Sequence, residues 1–135
     1  MSDFNQTVIT EFRANEGIVG GYFEGKPLLL LHTTGAKSGN ERINPLMYVA
    51  DDDRYVIIAS KAGADSHPDW YYNILAHPQV IIEVGANQLD VVATIAEEPE
   101  RTRLYEKMEM QSDAFTEYKN KTSRTIPVIV LTPQG

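Results

Sequence analysis

Residues 26–60 read KPLLLLHTTGAKSGNERINPLMYVADDDRYVIIAS, and this stretch decides the fold. Lys26–Thr33 contains four consecutive leucines between polar neighbours, the pattern of a short buried strand. A Gly- and Ser-containing turn, Gly35–Glu41, leads into a second apolar run, Arg42–Ala50. Asp51-Asp52-Asp53 then turns the chain into a third, Tyr55–Ser60. Three β-like runs with short, turn-rich connections predict a β-meander.

The pattern continues on both sides. Upstream, Phe4, Val8, Ile9 and Phe12 share one face at helical spacing, with Ser2 or Asp3 as the expected cap. Gly17–Gly25 holds four glycines and is expected to be a flexible connection. Downstream, Pro68 marks a helix start, and a helix over Trp70–Ala76 ends at His77-Pro78. Gln79–Val84 and Leu89–Ala96 read as a hairpin around Gly85-Ala86-Asn87. Glu98–Lys121 has helical spacing with a break near Ser112-Asp113, and Ile126–Leu131 is a last apolar strand.

Six strands with few long helices do not supply the helix between successive parallel strands that a doubly wound sheet needs. The expected fold is mainly β with flanking helices, a six-stranded and mostly antiparallel barrel whose closure removes exposed edges. The chain divides into 1–25, an N-terminal helix and connection, and 26–135, the barrel domain.

Composition narrows the function. At 135 residues one domain can bury roughly 65–70% of its unfolded surface. A net charge of −7 opposes non-specific binding to nucleic acid or anionic membrane. Without cysteine there is no disulfide framework, thiol nucleophile or thiolate metal site. No apolar run approaches the ~20 residues of a membrane span, and residues 1–16 lack signal-peptide order, so a cytoplasmic protein is expected.

Three polar patches stand at strand ends or turns. Gly35 and Gly39 bracket a turn in which backbone N–H groups can converge, with Lys37 and Ser38 adding donors, an arrangement suited to phosphate. An ordinary hairpin turn with a solvated lysine fits the same residues. Arg42 opens the second strand and Pro45 lies within it, marking an edge or bulge. Ser60-Lys61 closes the third strand. Trp70, the only tryptophan, is suited to wall a planar ring or to pack in the core. His32, His67 and His77 show no paired ligand spacing, and Asp51–Asp53 reads as a solvated turn.

Together the motifs resemble a known family. The run T-T-G-x-x-S-G-x-x-R-x-N-P-L, then A-S-K-x-G-A, P-x-W-Y-x-N-I, H-P and a late R-T-I-P-V resembles the deazaflavin (F420)-dependent nitroreductases, over about residues 26–133. The resemblance implies a split β-barrel of the FMN-binding-like type and coenzyme F420, a phosphorylated hydride carrier with an acidic tail. It places Ala36, Lys37 and Ser38 at the phosphate and tail. It places Arg42, Ile43, Asn44, Pro45, Leu46 and Met47 along the cofactor, and Ile58, Ala59, Ser60 and Lys61 beside the deazaflavin. Asp69, Trp70, Tyr71, Tyr72 and Asn73 form the helix start that covers the site, and Phe115 joins this lining. Ser60 and Tyr118 are the candidates for substrate contact or proton relay.

Some family members place several tyrosines over the substrate, where this chain holds Met47, Ser112 and Phe115 and retains Tyr118. Met and Phe shape a pocket but donate no proton. The implied function is hydride transfer from reduced F420 to quinone-like or nitroaromatic acceptors, with quinones favoured. Two readings stay open beside it: an FMN-dependent oxidoreductase on the same fold, and a non-catalytic F420 carrier. A small-molecule acceptor is the expected partner, and a homodimer is compatible with the chain.

Overall fold

In the computed structural model, which describes residues 3–134, seven strands form one antiparallel sheet. They are β1 (Leu28–Thr34), β2 (Glu41–Met47), β3 (Val49–Asp51), β4 (Arg54–Ile58), β5 (Gln79–Val84), β6 (Asn87–Ile95) and β7 (Val128–Pro133). Their order across the sheet is β2-β1-β5-β6-β7-β4-β3. Four α-helices accompany it among the described residues: α1 (Asp3–Ala14), α2 (Asp69–Ala76), α3 (Glu100–Gln111) and α4 (Ala114–Lys121). Ser2, one of the two expected caps of α1, lies outside the described residues.

The expected six strands become seven because Arg42–Ala50 divides at Tyr48. The two halves take opposite edges of the sheet: β2 pairs with β1, and β3 with β4. A flat sheet of seven strands would hold its edge strands about 29 Å apart at the usual inter-strand spacing. Met47 and Val49 are two Cα steps apart, at most about 7.6 Å. The sheet therefore curls until its edges meet at Tyr48, giving a half-barrel. At that junction Tyr48 donates its N–H to the Pro27 carbonyl (3.2 Å), and its carbonyl accepts from Gln111 Nε2 (2.9 Å). An unbroken apolar pattern carries no mark of a strand changing partners, so the sequence reading merges the two. Pro45 does lie in an edge strand, where a missing N–H is tolerated.

Alternation along the strands makes two apolar layers. Leu29, Leu31, Ile57, Ala59, Ile82, Val91, Ile129 and Leu131 fill the concave interior. Leu28 and Leu30 face outward beneath Val8, Ile9 and Phe12 of α1. Val56, Ile58, Val128 and Val130 face outward beneath Leu104, Tyr105 and Met108 of α3 and Phe115 of α4. The expectation of flanking helices is corrected at α2, whose Trp70 and Ile74 enter the interior cluster. Phe4 departs from its helical face and is exposed, its ring 6.0 Å from that of Phe23. The break between the two C-terminal helices falls at Ser112-Asp113.

Asp51 corrects the solvated-turn reading of Asp51–Asp53. Only 4% exposed, it accepts from Arg103 (3.1 Å), Lys107 (3.1 Å) and Arg54, tying α3 to the β3–β4 turn. Hydrogen bonds from Arg103 and Arg54 hold its carboxyl well below the usual carboxylate range. Long-range partners, invisible in the local string Asp-Asp-Asp, make this aspartate structural.

Candidate functional site

Because every pairing is antiparallel, β1, β4 and β6 all run toward the same end of the sheet. The turn after β1 and the Ser60-Lys61 patch after β4 thus share one rim. They do so across a curled sheet, since β1 and β4 are not neighbours as a simple meander requires.

The Gly35–Asn40 turn is built from its own backbone. Gly35 N–H donates to the Asn40 carbonyl (2.8 Å), Gly39 N–H to the Gly35 carbonyl (3.0 Å), and Asn40 N–H to Ser38 Oγ (3.1 Å). A β-carbon on residue 35 would overlap Ser38 Oγ, so a side chain there would displace the Ser38 hydroxyl from its bond to Asn40 N–H. Asn73, buried on α2, ties the turn to the helix: its Oδ1 accepts Ala36 N–H (2.9 Å) and its Nδ2 donates to Thr33 Oγ1 (3.1 Å). Lys37 and Ser38 are left with consecutive N–H groups that have no acceptor among the described residues. The exposed side chains of Lys37 and of Arg42, at the start of β2, make no ion pair there. Free backbone donors beside cations with no ion pair are the chemistry that an anion site requires.

At the other patch the backbone takes an unfavourable path. Lys61 (φ 48°), Ala62 (φ 53°) and Gly63 (φ 83°) are consecutive left-handed residues. The two non-glycine residues cost about 1–2 kcal/mol each. Glycine is required at 63, where a β-carbon would stand 3.0 Å from the Tyr118 carbonyl oxygen of α4. Gly63 N–H donates to the Ser60 carbonyl (2.9 Å) and Ala64 N–H to the Lys61 carbonyl (3.1 Å). Lys61 Nζ is 3.3 Å from Ser66 Oγ. Ser60 is buried, and its hydroxyl makes no hydrogen bond to a described residue.

Arg124, between α4 and β7, braces this corner. Its Nη2 donates to the carbonyls of Ser60 (2.8 Å) and Ala59 (3.2 Å), its Nε to that of Ala64 (2.8 Å). Its Nη1 lies 2.9 Å from His67 Nδ1. Arginine has no acceptor, so Nδ1 carries the lone pair and the neutral ring bears its proton on Nε2. Burial, then the Arg124 charge, push the His67 pKa below its ordinary value. In the sequence Arg124 stands out only as part of R-T-I-P-V, because backbone carbonyls some 60 residues away leave no local signal.

The anticipated lining residues separate into groups. Ala36, Lys37, Ser38, Arg42, Lys61, Asp69 and Tyr72 are exposed. Leu46, Ala59, Trp70 and Tyr71 belong to the interior cluster, and the Trp70 ring is therefore core. Arg42 and Asn44 share the inward face of β2 with Leu46, opposite Thr33 and Leu31. Ile43, Pro45 and Met47 face the other way, Ile43 and Met47 against the α1 layer. Met47 also joins Ile58, Phe115 and Tyr118 in the layer beneath α3 and α4, where the Phe115 and Tyr118 rings meet edge-on at 5.2 Å. Ser112 is buried beside them in sequence, its carbonyl 3.3 Å from Phe115 N. Asp69 already complements the N-terminus of α2. A separate hollow between α3 and α4, lined by Tyr105, Glu109, Lys119 and Arg124, is no second anion site, since Lys119 is paired with Glu109 (2.9 Å). No group of metal-ligating side chains occurs among the described residues.

A family profile described as F420H(2)-dependent quinone reductase matches residues 5–133. The chain belongs to the F420H(2)-dependent quinone reductase family. An F420H(2)-dependent quinone reductase of Mycobacterium tuberculosis is 42% identical over 125 residues, 90% of this chain and 84% of that one. Among solved structures, an F420-H2-dependent reductase is 38% identical with a TM-score of 0.73, covering 83% of this chain and 99% of its own. A structure described as a domain-swapped dimer is 35% identical with a TM-score of 0.74, covering 93% and 92%. The resemblance read from the motifs is thus borne out as an F420-dependent family, with quinone as the acceptor in its name.

Proposed function

We propose that the protein transfers hydride from reduced F420 to quinone-like acceptors at the rim formed by the Gly35–Asn40 turn, Ser60–Lys61 and the start of α2. The observation that carries this reading is the donor pair at Lys37 and Ser38, beside the cations of Lys37 and Arg42, none of which has a partner among the described residues. A chain of net charge −7 has no general attraction for a polyanion, so a local concentration of donors at one turn supports a dedicated phosphate or carboxylate site.

A bound deazaflavin supplies two-electron hydride chemistry, having carbon where a flavin has its reactive ring nitrogen. The chain's own residues bind, orient and exclude water. Lys37 and Ser38 would hold phosphate or the acidic tail, and Asn73 fixes their turn against α2. Lys61 adds a cation at the β4 corner. Ser60 Oγ, without a partner among the described residues, is available to donate to a polar atom of cofactor or substrate, and the Tyr118 hydroxyl is the second candidate for holding a proton near the acceptor. Phe115 is buried and Met47 half-buried in the apolar layer beneath α3 and α4, so an acceptor that reaches them meets apolar groups, which suit flat quinones better than a nitro group that gains charge as it is reduced.

A split barrel of the FMN-binding type, a homodimer and a cytoplasmic location complete the proposal. The curled sheet supports the first and the dimeric relative the second. The third is supported by the absence, among the described residues, of a helix long and apolar enough to cross a membrane. Following F420H2 oxidation with menadione and with a nitroimidazole tests the function, and faster nitroimidazole reduction would reject the acceptor assignment.

A further inference from the structure

We infer that Arg124 is the positioning residue of the candidate site: it locks the Ser60–Gly63 corner in its left-handed path and supplies an uncompensated positive charge behind it. The inference rests on the reading that this corner meets the cofactor.

Three observations lead here. Lys61 and Ala62 occupy a backbone region that L-residues avoid, so the corner needs external restraint. Arg124 supplies that restraint from both sides, since its guanidinium bonds Ala59 and Ser60 before the bend and Ala64 after it. Its fourth partner is His67, which leads toward α2, so one side chain holds the end of β4 and the approach to the covering helix together. The Thr122 hydroxyl, bonded to Asp65 Oδ1 (2.7 Å) and accepting Arg124 N–H (3.2 Å), fixes the arginine's own backbone against the same loop.

The charge matters as much as the geometry. The guanidinium's partners are three carbonyl dipoles and an imidazole nitrogen, and no carboxylate lies within ion-pair distance among the described residues. The positive charge is therefore not cancelled, and it lies beneath the backbone that carries Lys61. A planar fork spans carbonyls on both sides of a bend, whereas a lysine ammonium is a point donor that cannot.

The test uses Arg124→Ala, Arg124→Lys and Arg124→Gln in the full chain, with F420 titration and amide hydrogen exchange of the cofactor-free protein. In Arg124→Ala, F420 should bind about tenfold more weakly, the effect expected for lost charge-assisted hydrogen bonds. Gly63 and Ala64 amides should exchange faster while Ile57 and Ile129, in the β4–β7 ladder, keep their protection. Added guanidinium, below denaturing concentration, should recover affinity in Arg124→Ala, and lysine should not substitute. If Arg124→Ala does not fold, Arg124→Gln, which keeps one amide nitrogen but neither the fork nor the charge, should show faster exchange at Gly63 and Ala64 together with weaker F420 binding. Wild-type affinity together with unchanged corner exchange in a folded variant overturns the inference while leaving the F420 reading intact. If the wild type itself binds no F420, the functional reading fails, and the exchange measurement alone decides whether Arg124 locks the corner.

Discussion

Replacing Asn73 with alanine removes the side chain that ties α2 to the Gly35–Asn40 turn. Two hydrogen bonds are lost, from Ala36 N–H (2.9 Å) and to Thr33 Oγ1 (3.1 Å), at a residue only 8% exposed. Each contributes about 0.5–1.5 kcal/mol net, so together they amount to about 2 kcal/mol. An unfolding entropy of about 2.1 cal/mol/K per residue gives about 0.28 kcal/mol/K for this chain, and a Tm lowered by about 7 °C. The same change frees the turn that presents Lys37 and Ser38, so F420 affinity should fall about tenfold, the equivalent of about 1.4 kcal/mol. Asn73→Asp separates the two effects. Its carboxylate can still accept Ala36 N–H, and the Thr33 hydroxyl can rotate to donate to it, but a negative charge now lies beside the anion site. Asn73→Asp should therefore lose more F420 affinity for each degree of Tm than Asn73→Ala does. Thermal melts and fluorescence titrations of the three proteins supply the numbers. If Asn73→Ala melts within about 2 °C of wild type and binds F420 equally well, the reasoning from these two bonds is refuted.

Lys37→Ala and Lys61→Ala should each weaken F420 binding by about 1 kcal/mol, the modest value that suits exposed charges, with the loss shrinking at high salt in equilibrium titrations. Introducing tyrosine at Met47 and Phe115 should raise nitroimidazole reduction relative to quinone reduction, read as F420H2 oxidation at matched cofactor saturation, because it adds hydroxyl donors where nitro oxygens gain charge. Asp51→Asn should destabilise by about 2 kcal/mol in denaturant unfolding, since its three cationic partners are partly exposed and recover hydration. The Asp51 pKa is lowered on folding, so its stabilisation is present above the ordinary aspartate value near 3.8 and is lost as pH falls from there toward the native pKa. The wild-type curve below pH 3.8 should consequently be steeper than that of Asp51→Asn.

Short-range chemistry made much of this molecule legible. The four leucines of β1, the Gly85-Ala86 hairpin, Pro68 before α2 and the break at Ser112 all announce themselves within a few residues. The Gly35–Gly39 turn was readable for the same reason, since its donors and its cation are adjacent in sequence. Three features were not readable, and each depends on distant partners. Tyr48 divides an apolar run because its two halves pair with strands on opposite edges of the curl. Asp51 is buried because α3 brings Arg103 and Lys107 to it. Arg124 matters through carbonyls at Ala59, Ser60 and Ala64, and any exposed polar residue before a strand looks the same in one dimension.

The most direct measurement is a pair of equilibrium titrations, F420 and FMN against the same protein, followed by anaerobic mixing of the F420 complex in its reduced form with menadione. The anion site at Lys37 and Ser38, together with family membership, predicts tighter binding of F420 and prompt oxidation of the reduced cofactor by the quinone. Tighter binding of FMN, or reduced F420 that stays bound and unoxidised, would contradict it.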